Sequence, residues 1–164
     1  MIARCFIDTT YLMPLFGLNP SIQHLNDQLL QILRLDRFTF LYSAVSLIEI
    51  KWQVMHLGKH GHAIDQLERQ FSLALSSLKI DPRHECVDFL NADINDLSYE
   101  LRKLGHNDYF DTIIASSALW EAEIFITEDA PLKKVCQKYI ESNQSSEIKK
   151  IEILDWNAFH VKYS

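Results

Sequence analysis

DTIIASSALWEAEIFITED, residues 111–129, is the stretch on which the reading of the fold turns. Asp108–Trp120 is apolar almost all round, which predicts a buried helix. After two more residues, Glu123–Thr127 (EIFIT) has the apolar, β-branched composition of a short buried strand. Asp129 then stands before Ala130-Pro131, a start signal for a further helix. Helix, strand and helix in close succession is the rhythm of an α/β protein built on a parallel sheet with helices on both faces.

The alternation extends in both directions. Ile2–Ile7 reads as a buried strand that stops at Asp8, and Phe38–Tyr42 (FTFLY) as a second strand. Ser21–Leu35 carries Ile22, Leu25, Leu29, Ile32 and Leu33 at helical spacing. Ser46–Leu57 reads as a helix closed by Gly58, and Ile64, Leu67, Phe71, Ala74 and Leu78 mark another. Asp81-Pro82 predicts a helix start, followed by the stripe Leu90, Ile94, Leu97, Leu101 and Leu104 and a stop at Gly105. With at most a two-residue strand at Lys79-Ile80, residues 59–104 read as a helical insert within the alternation. SNQSSE at 142–147 reads as a polar loop, Lys150–Leu154 as a fourth strand, and Asp155 as the cap of a last helix.

At 164 residues, the expectation is a single domain spanning 1–164, and 48% apolar residues supply a full core. A formal charge of −6 excludes a general basic coat for nucleic acid, so RNA or DNA would be gripped by a local patch or through metal ions. Cys5, Cys86 and Cys136 are widely spaced, which argues against a disulfide framework or a zinc knuckle. No apolar run approaches a membrane span, and Asp8 interrupts any signal-peptide core. A soluble cytoplasmic protein, with no membrane partner, is expected.

Four carboxylates organise the functional reading. Each has a structural explanation of its own. Ser46-Leu-Ile-Glu49 matches a capping box, Asp108 can cap a helix with Asp111 at its third position, and Asp129 and Asp8 can cap turns. Taken together they say more. In a parallel sheet with right-handed crossovers the C-terminal strand ends share one edge, where ligands bind. Asp8 and Asp129 end strands; Glu49 and Asp111 open helices expected to point to that edge. Bunched carboxylates repel, and protonation or a cation must relieve them. The natural partners are hard divalent ions, Mg²⁺ or Mn²⁺, which polarise phosphoryl oxygens and activate water.

At these residues the chain resembles the PIN-domain nucleases, small prokaryotic toxin ribonucleases of the VapC type in particular. FIDTT followed by YL is similar to their opening motif, and SLIEIKW to their second. DTIIASSAL is similar to the third and FITED to the fourth, with the aspartates of these last two 18 residues apart. The resemblance places Asp8, Glu49, Asp111 and Asp129 on the acidic positions, with Thr10 and Thr127 on small hydroxyl positions that orient the first and last aspartates or a water. It implies a three-layer α/β/α sandwich and Mg²⁺- or Mn²⁺-dependent hydrolysis of RNA phosphodiester bonds. An antitoxin protein partner and a homodimer are implied in the same way. Asp108 could be a fifth carboxylate on the rim or take part of the metal role of Asp111.

In the implied mechanism Asp8, Asp111 and Asp129 hold one or two ions, while Glu49 binds through water or helps deprotonate it. Lys51, Lys133, Lys134 and the GKHGH loop at 58–62 are the nearest candidates for phosphate contacts, against ordinary surface roles. His56 and His60 have metal-like spacing, interrupted by Gly58. The Leu90–Leu104 stripe is most simply core, with a dimer seam or partner helix as the other reading. Trp52, Trp120 and Trp156 read as core or interface. FIDTT also resembles phosphatases with a strand-end Asp nucleophile, but those need an acid where Thr10 stands. No Gly-rich phosphate loop exists. The reading from another class is a metal-free RNA- or protein-binding module on the same fold.

Overall fold

The computed structural model describes residues 2–59, 63–143 and 151–163. Five strands form one parallel sheet in the order β3-β2-β1-β4-β5. They are β1 (Ala3–Ile7), β2 (Phe38–Ser43), β3 (His84–Val87), β4 (Ile124–Ile126) and β5 (Glu152–Leu154). The helices are α1 (Thr9–Leu12), α2 (Leu25–Leu33), α3 (Ala44–Lys59), α4 (Ile64–Ile80), α5 (Ala92–Lys103), α6 (Tyr109–Glu121), α7 (Ala130–Ser142) and α8 (Trp156–Tyr163). The period of two along each strand divides the core into two layers. Cys5, Ile7, Phe38, Phe40, Ile124 and Ile126 face one cluster with Leu25, Leu29, Val54, Leu78 and Trp156. Phe6, Leu41 and Phe125 face the other, with Ile94, Leu101, Ile114 and Leu119. Helices thus cover both faces of the sheet, as expected of a three-layer α/β/α sandwich.

β1 sits at the centre, paired with β2 through Ala3↔Phe38 to Phe6↔Leu41 and with β4 through Cys5↔Ile124 to Ile7↔Ile126. Helix α6 packs across β1, β2 and β4. Its residues Thr112–Leu119 are all buried, and Ala115, Ser116, Ser117 and Ala118 keep its surface thin enough for close approach. The Ser116 and Ser117 hydroxyls donate to the carbonyls of Thr112 and Ile113, so the buried polar atoms are satisfied.

Several expectations change. Residues 59–104 are mostly helical but include an integral strand: β3 pairs with β2 through Phe40↔His84 to Ser43↔Val87. Asp81 does not open a helix there. It follows the last turn of α4, which contains Lys79-Ile80, and accepts bonds from Arg83 N, Nε and Nη2 at 3.0, 2.9 and 2.7 Å. An edge strand reading HECV, exposed along much of its length, carries no alternating apolar signal. Leu90 is 74% exposed and lies before α5, whereas Ile94, Leu97 and Leu101 are core against α6. That leaves those three no dimer seam. Ser21 and His24 adopt left-handed conformations, which shortens the helix expected over 21–35 to Leu25–Leu33. Gly58 lies inside α3 rather than past its end. His60, Gly61 and His62 of GKHGH, residues 144–147 of the polar loop, and Lys150 lie outside the described residues.

Candidate metal centre

The C-terminal edge of the sheet is built by hydrogen bonds that tie strand ends to helix starts. β1 ends at Asp8, whose backbone N–H reaches Ile126 of β4 at 3.1 Å. The Asp8 side chain caps α1, taking the Thr9 N–H on Oδ1 at 2.7 Å. Its Oδ2 accepts the Thr127 hydroxyl at 2.6 Å. Thr127 is fully buried, and its Oγ1 in turn accepts the Asp129 N–H at 3.2 Å. Asp129 caps α7 through the Leu132 N–H at 2.7 Å. One hydroxyl therefore links the first and last aspartates.

Glu49 arrives from the second turn of α3, three positions later in the helix than a capping box requires. The cap is Ser43, whose hydroxyl takes the Val45 N–H at 3.2 Å. Ser46 is buried within the first turn, and its Oγ has no hydrogen-bond partner among the described residues. Glu49 is thereby released from capping, and its Oε2 accepts the Thr9 hydroxyl at 2.5 Å. Thr10, on the small hydroxyl position of the motif resemblance, follows in α1 and is half-buried.

Helix α6 ends where β4 begins, so its N-terminus lies toward the same edge. Asp108 caps it, accepting the N–H groups of Phe110 and Asp111 at 2.9 and 3.3 Å, and is exposed on the rim. Asp111 is one step inward. Its Oδ2 lies 3.0 Å from Nε2 of His106, a residue only 8% exposed that the motifs do not include. Ligand atoms of His106, Asp111 and Asp129 all fall within 4.8 Å of one another. Two nearby features mark His106 in the sequence: the Gly105 stop before it and Asp108 after it. At Gly105 φ is +112°, and its N–H returns to Arg102 at 3.0 Å, turning the chain so that His106 faces inward.

The electrostatics follow from this crowding. Burial pushes the Asp8 carboxyl up to about 6, with Asp111 and Asp129 adding to the rise and bonds from Thr127 and Thr9 opposing it. Burial likewise pushes Glu49 up to about 7, against its bond from Thr9, with Asp8, Asp111 and Asp108 adding repulsion. Asp111 is raised by burial, then lowered by His106 and raised again by Asp108 and Asp129. The named acids feel one another, so the four segments converge on one locus. Their donor set of carboxylate oxygens with one imidazole fits a divalent cation.

No protein-family model matches the sequence, and no curated protein does. Solved structures match in shape. VapBC2 from Rickettsia felis, bound to a DNA fragment from its promoter, is 19% identical, covering 93% of this chain and 98% of its own, with a TM-score of 0.59. PAE2754 from Pyrobaculum aerophilum is 12% identical, covering 98% and 88%, with a TM-score of 0.60. DNA-bound VapBC from Salmonella typhimurium is 15% identical, covering 95% and 99%, with a TM-score of 0.57. The chain has a PIN-domain fold.

On this PIN fold the basic candidates are mostly engaged elsewhere. Lys51 pairs with Glu68 and lies over the Phe71 ring, and Lys133 pairs with Asp155 at 3.3 Å. Lys134 is exposed. Trp156 is core, whereas Trp52 and Trp120 are exposed at 66% and 45%. Beside the acids, Tyr109 and Phe110 open α6 with their rings half in solvent. No helix among the described residues is long and apolar enough to cross a membrane.

Proposed function

We propose that the chain is a divalent-metal-dependent endoribonuclease and the toxin of a toxin–antitoxin pair. The observation that carries this reading is the convergence of Asp8, Glu49, Asp111 and Asp129 from four separate segments on one edge of the sheet, where burial and repulsion drive the first two toward neutrality. Asp111 and Asp129 would hold an Mg²⁺ or Mn²⁺ ion. Asp8 would anchor the locus through Thr127, and Glu49, held by Thr9, would take a proton from the attacking water. When bound, such an ion supplies polarisation of a phosphoryl oxygen and activation of water. The caps at Asp8 and Asp129 fix the carboxylates before substrate arrives, so little reorganisation accompanies the reaction. Phe110 offers a half-exposed ring on which an unpaired base can stack, beside a Tyr109 ring that has the Arg102 guanidinium over it. Two of the solved neighbours are VapBC complexes, which supports an antitoxin protein as partner. A homodimer belongs to the same reading.

Calorimetric titration with Mn²⁺ tests the centre. The expected result is saturable binding by the full chain, abolished in the double variant Asp111→Asn, Asp129→Asn with its fold verified by circular dichroism. Equal binding by both proteins would move the ion elsewhere. No binding by either would favour a metal-free binding module.

A further inference from the structure

We infer that His106 is a direct nitrogen ligand of this centre and gives it a preference for Mn²⁺ over Mg²⁺. The inference rests on the metal centre proposed above and adds a residue that the four acidic motifs do not contain. His106 Nε2 lies 3.0 Å from Asp111 Oδ2, and both lie within 4.8 Å of an Asp129 oxygen. In six-coordination with bonds of roughly 2.1 Å, adjacent ligand atoms stand roughly 3.0 Å apart and opposite ones roughly 4.2 Å apart. The His106–Asp111 separation is therefore that of two neighbouring ligands, and an ion can be shared without moving either side chain.

The ring is also held for this role. The left-handed Gly105 ends α5, and the His106 N–H closes back on Leu101 O at 3.5 Å. The imidazole is almost wholly removed from solvent, and its one polar contact among the described residues is the carboxylate that would share its ion. Mn²⁺ is the weakest nitrogen binder among the divalent first-row transition ions, yet it accepts an imidazole more readily than Mg²⁺, which keeps a near-ideal shell of oxygens. A site of carboxylates alone would separate the two ions less.

Pulsed electron paramagnetic resonance of the Mn²⁺-loaded full chain reads a bonded imidazole as nitrogen-14 modulation, independently of RNA cleavage. The expected spectrum shows that modulation in the wild type and loses it in His106→Ala. By calorimetry the variant is expected to bind Mn²⁺ about tenfold or more weakly, while its Mg²⁺ affinity stays within about threefold. Mn²⁺ bound without nitrogen modulation in the wild type would overturn the assignment and leave an all-oxygen centre standing. Modulation that persists in His106→Ala would overturn it too. Failure of the wild type to bind either ion would overturn both the ligand and the centre. The wild-type spectrum decides the matter even if His106→Ala fails to fold.

Discussion

Thr127 shows how little chemistry separates a cap from a functional constellation. Its buried hydroxyl donates to Asp8 and accepts from the Asp129 backbone, so two strand ends share one atom. Thr127→Val keeps the shape and removes that atom. It leaves a buried Asp8 oxygen unpaired and is expected to destabilise the fold by about 1–3 kcal/mol in chemical denaturation. Thr9→Val removes the bond to Glu49, whereas Thr10→Val is expected to change stability and metal affinity less than either. The acids are legible in the sequence because carboxylates at strand ends are visible as residue types. The bond from Thr9 to Glu49 is not legible there, because a motif gives position without direction, and it is the first turn of α1 that aims Thr9 at Glu49. His106 stayed hidden for a related reason: only the turn at Gly105 brings it onto Asp111.

At the scale of elements, segments with a regular apolar pattern are legible, and β3, which has none, is not. α6 and β4 announce themselves through continuous apolar composition. β3 does not, because HECV is exposed along much of its length and has a single buried apolar residue, Val87, at its end. The turn that launches it is held by Asp81 and Arg83, whose guanidinium keeps the Asp81 carboxyl well below the usual carboxylate range. A carboxyl lowered in the folded state contributes stability above its unfolded pKa and loses it as pH falls through the folded value. Asp81→Asn is therefore expected to lower stability by about 1 kcal/mol at neutral pH, with the difference from wild type shrinking below about pH 4. Thermal melts at matched pH values check this.

Across the whole molecule, the sheet gathers negative charge at one edge of a chain already at −6. Asp8 and Glu49 stand at about 6 and about 7 in the folded protein, above the 3.8 and 4.5 of ordinary carboxyls. The unfolded chain releases these protons first, so their contribution to stability is fully present below about pH 4 and is lost as pH rises to about 7. The metal-free protein is expected to melt lower at about pH 8 than at about pH 5.5, and Asp8→Asn is expected to flatten that fall. Mn²⁺ is expected to raise the midpoint more at the higher pH, because an ion bound by the folded state alone stabilises it.

Cleavage of a mixed RNA pool by the purified chain, with and without Mn²⁺ and beside Asp8→Asn, tests the acidic edge most directly. The expected result is fragmentation that needs the ion and falls by about a hundredfold or more in the variant, with its fold intact. Cleavage by Asp8→Asn at the wild-type rate, with the same demand for Mn²⁺, would contradict the account.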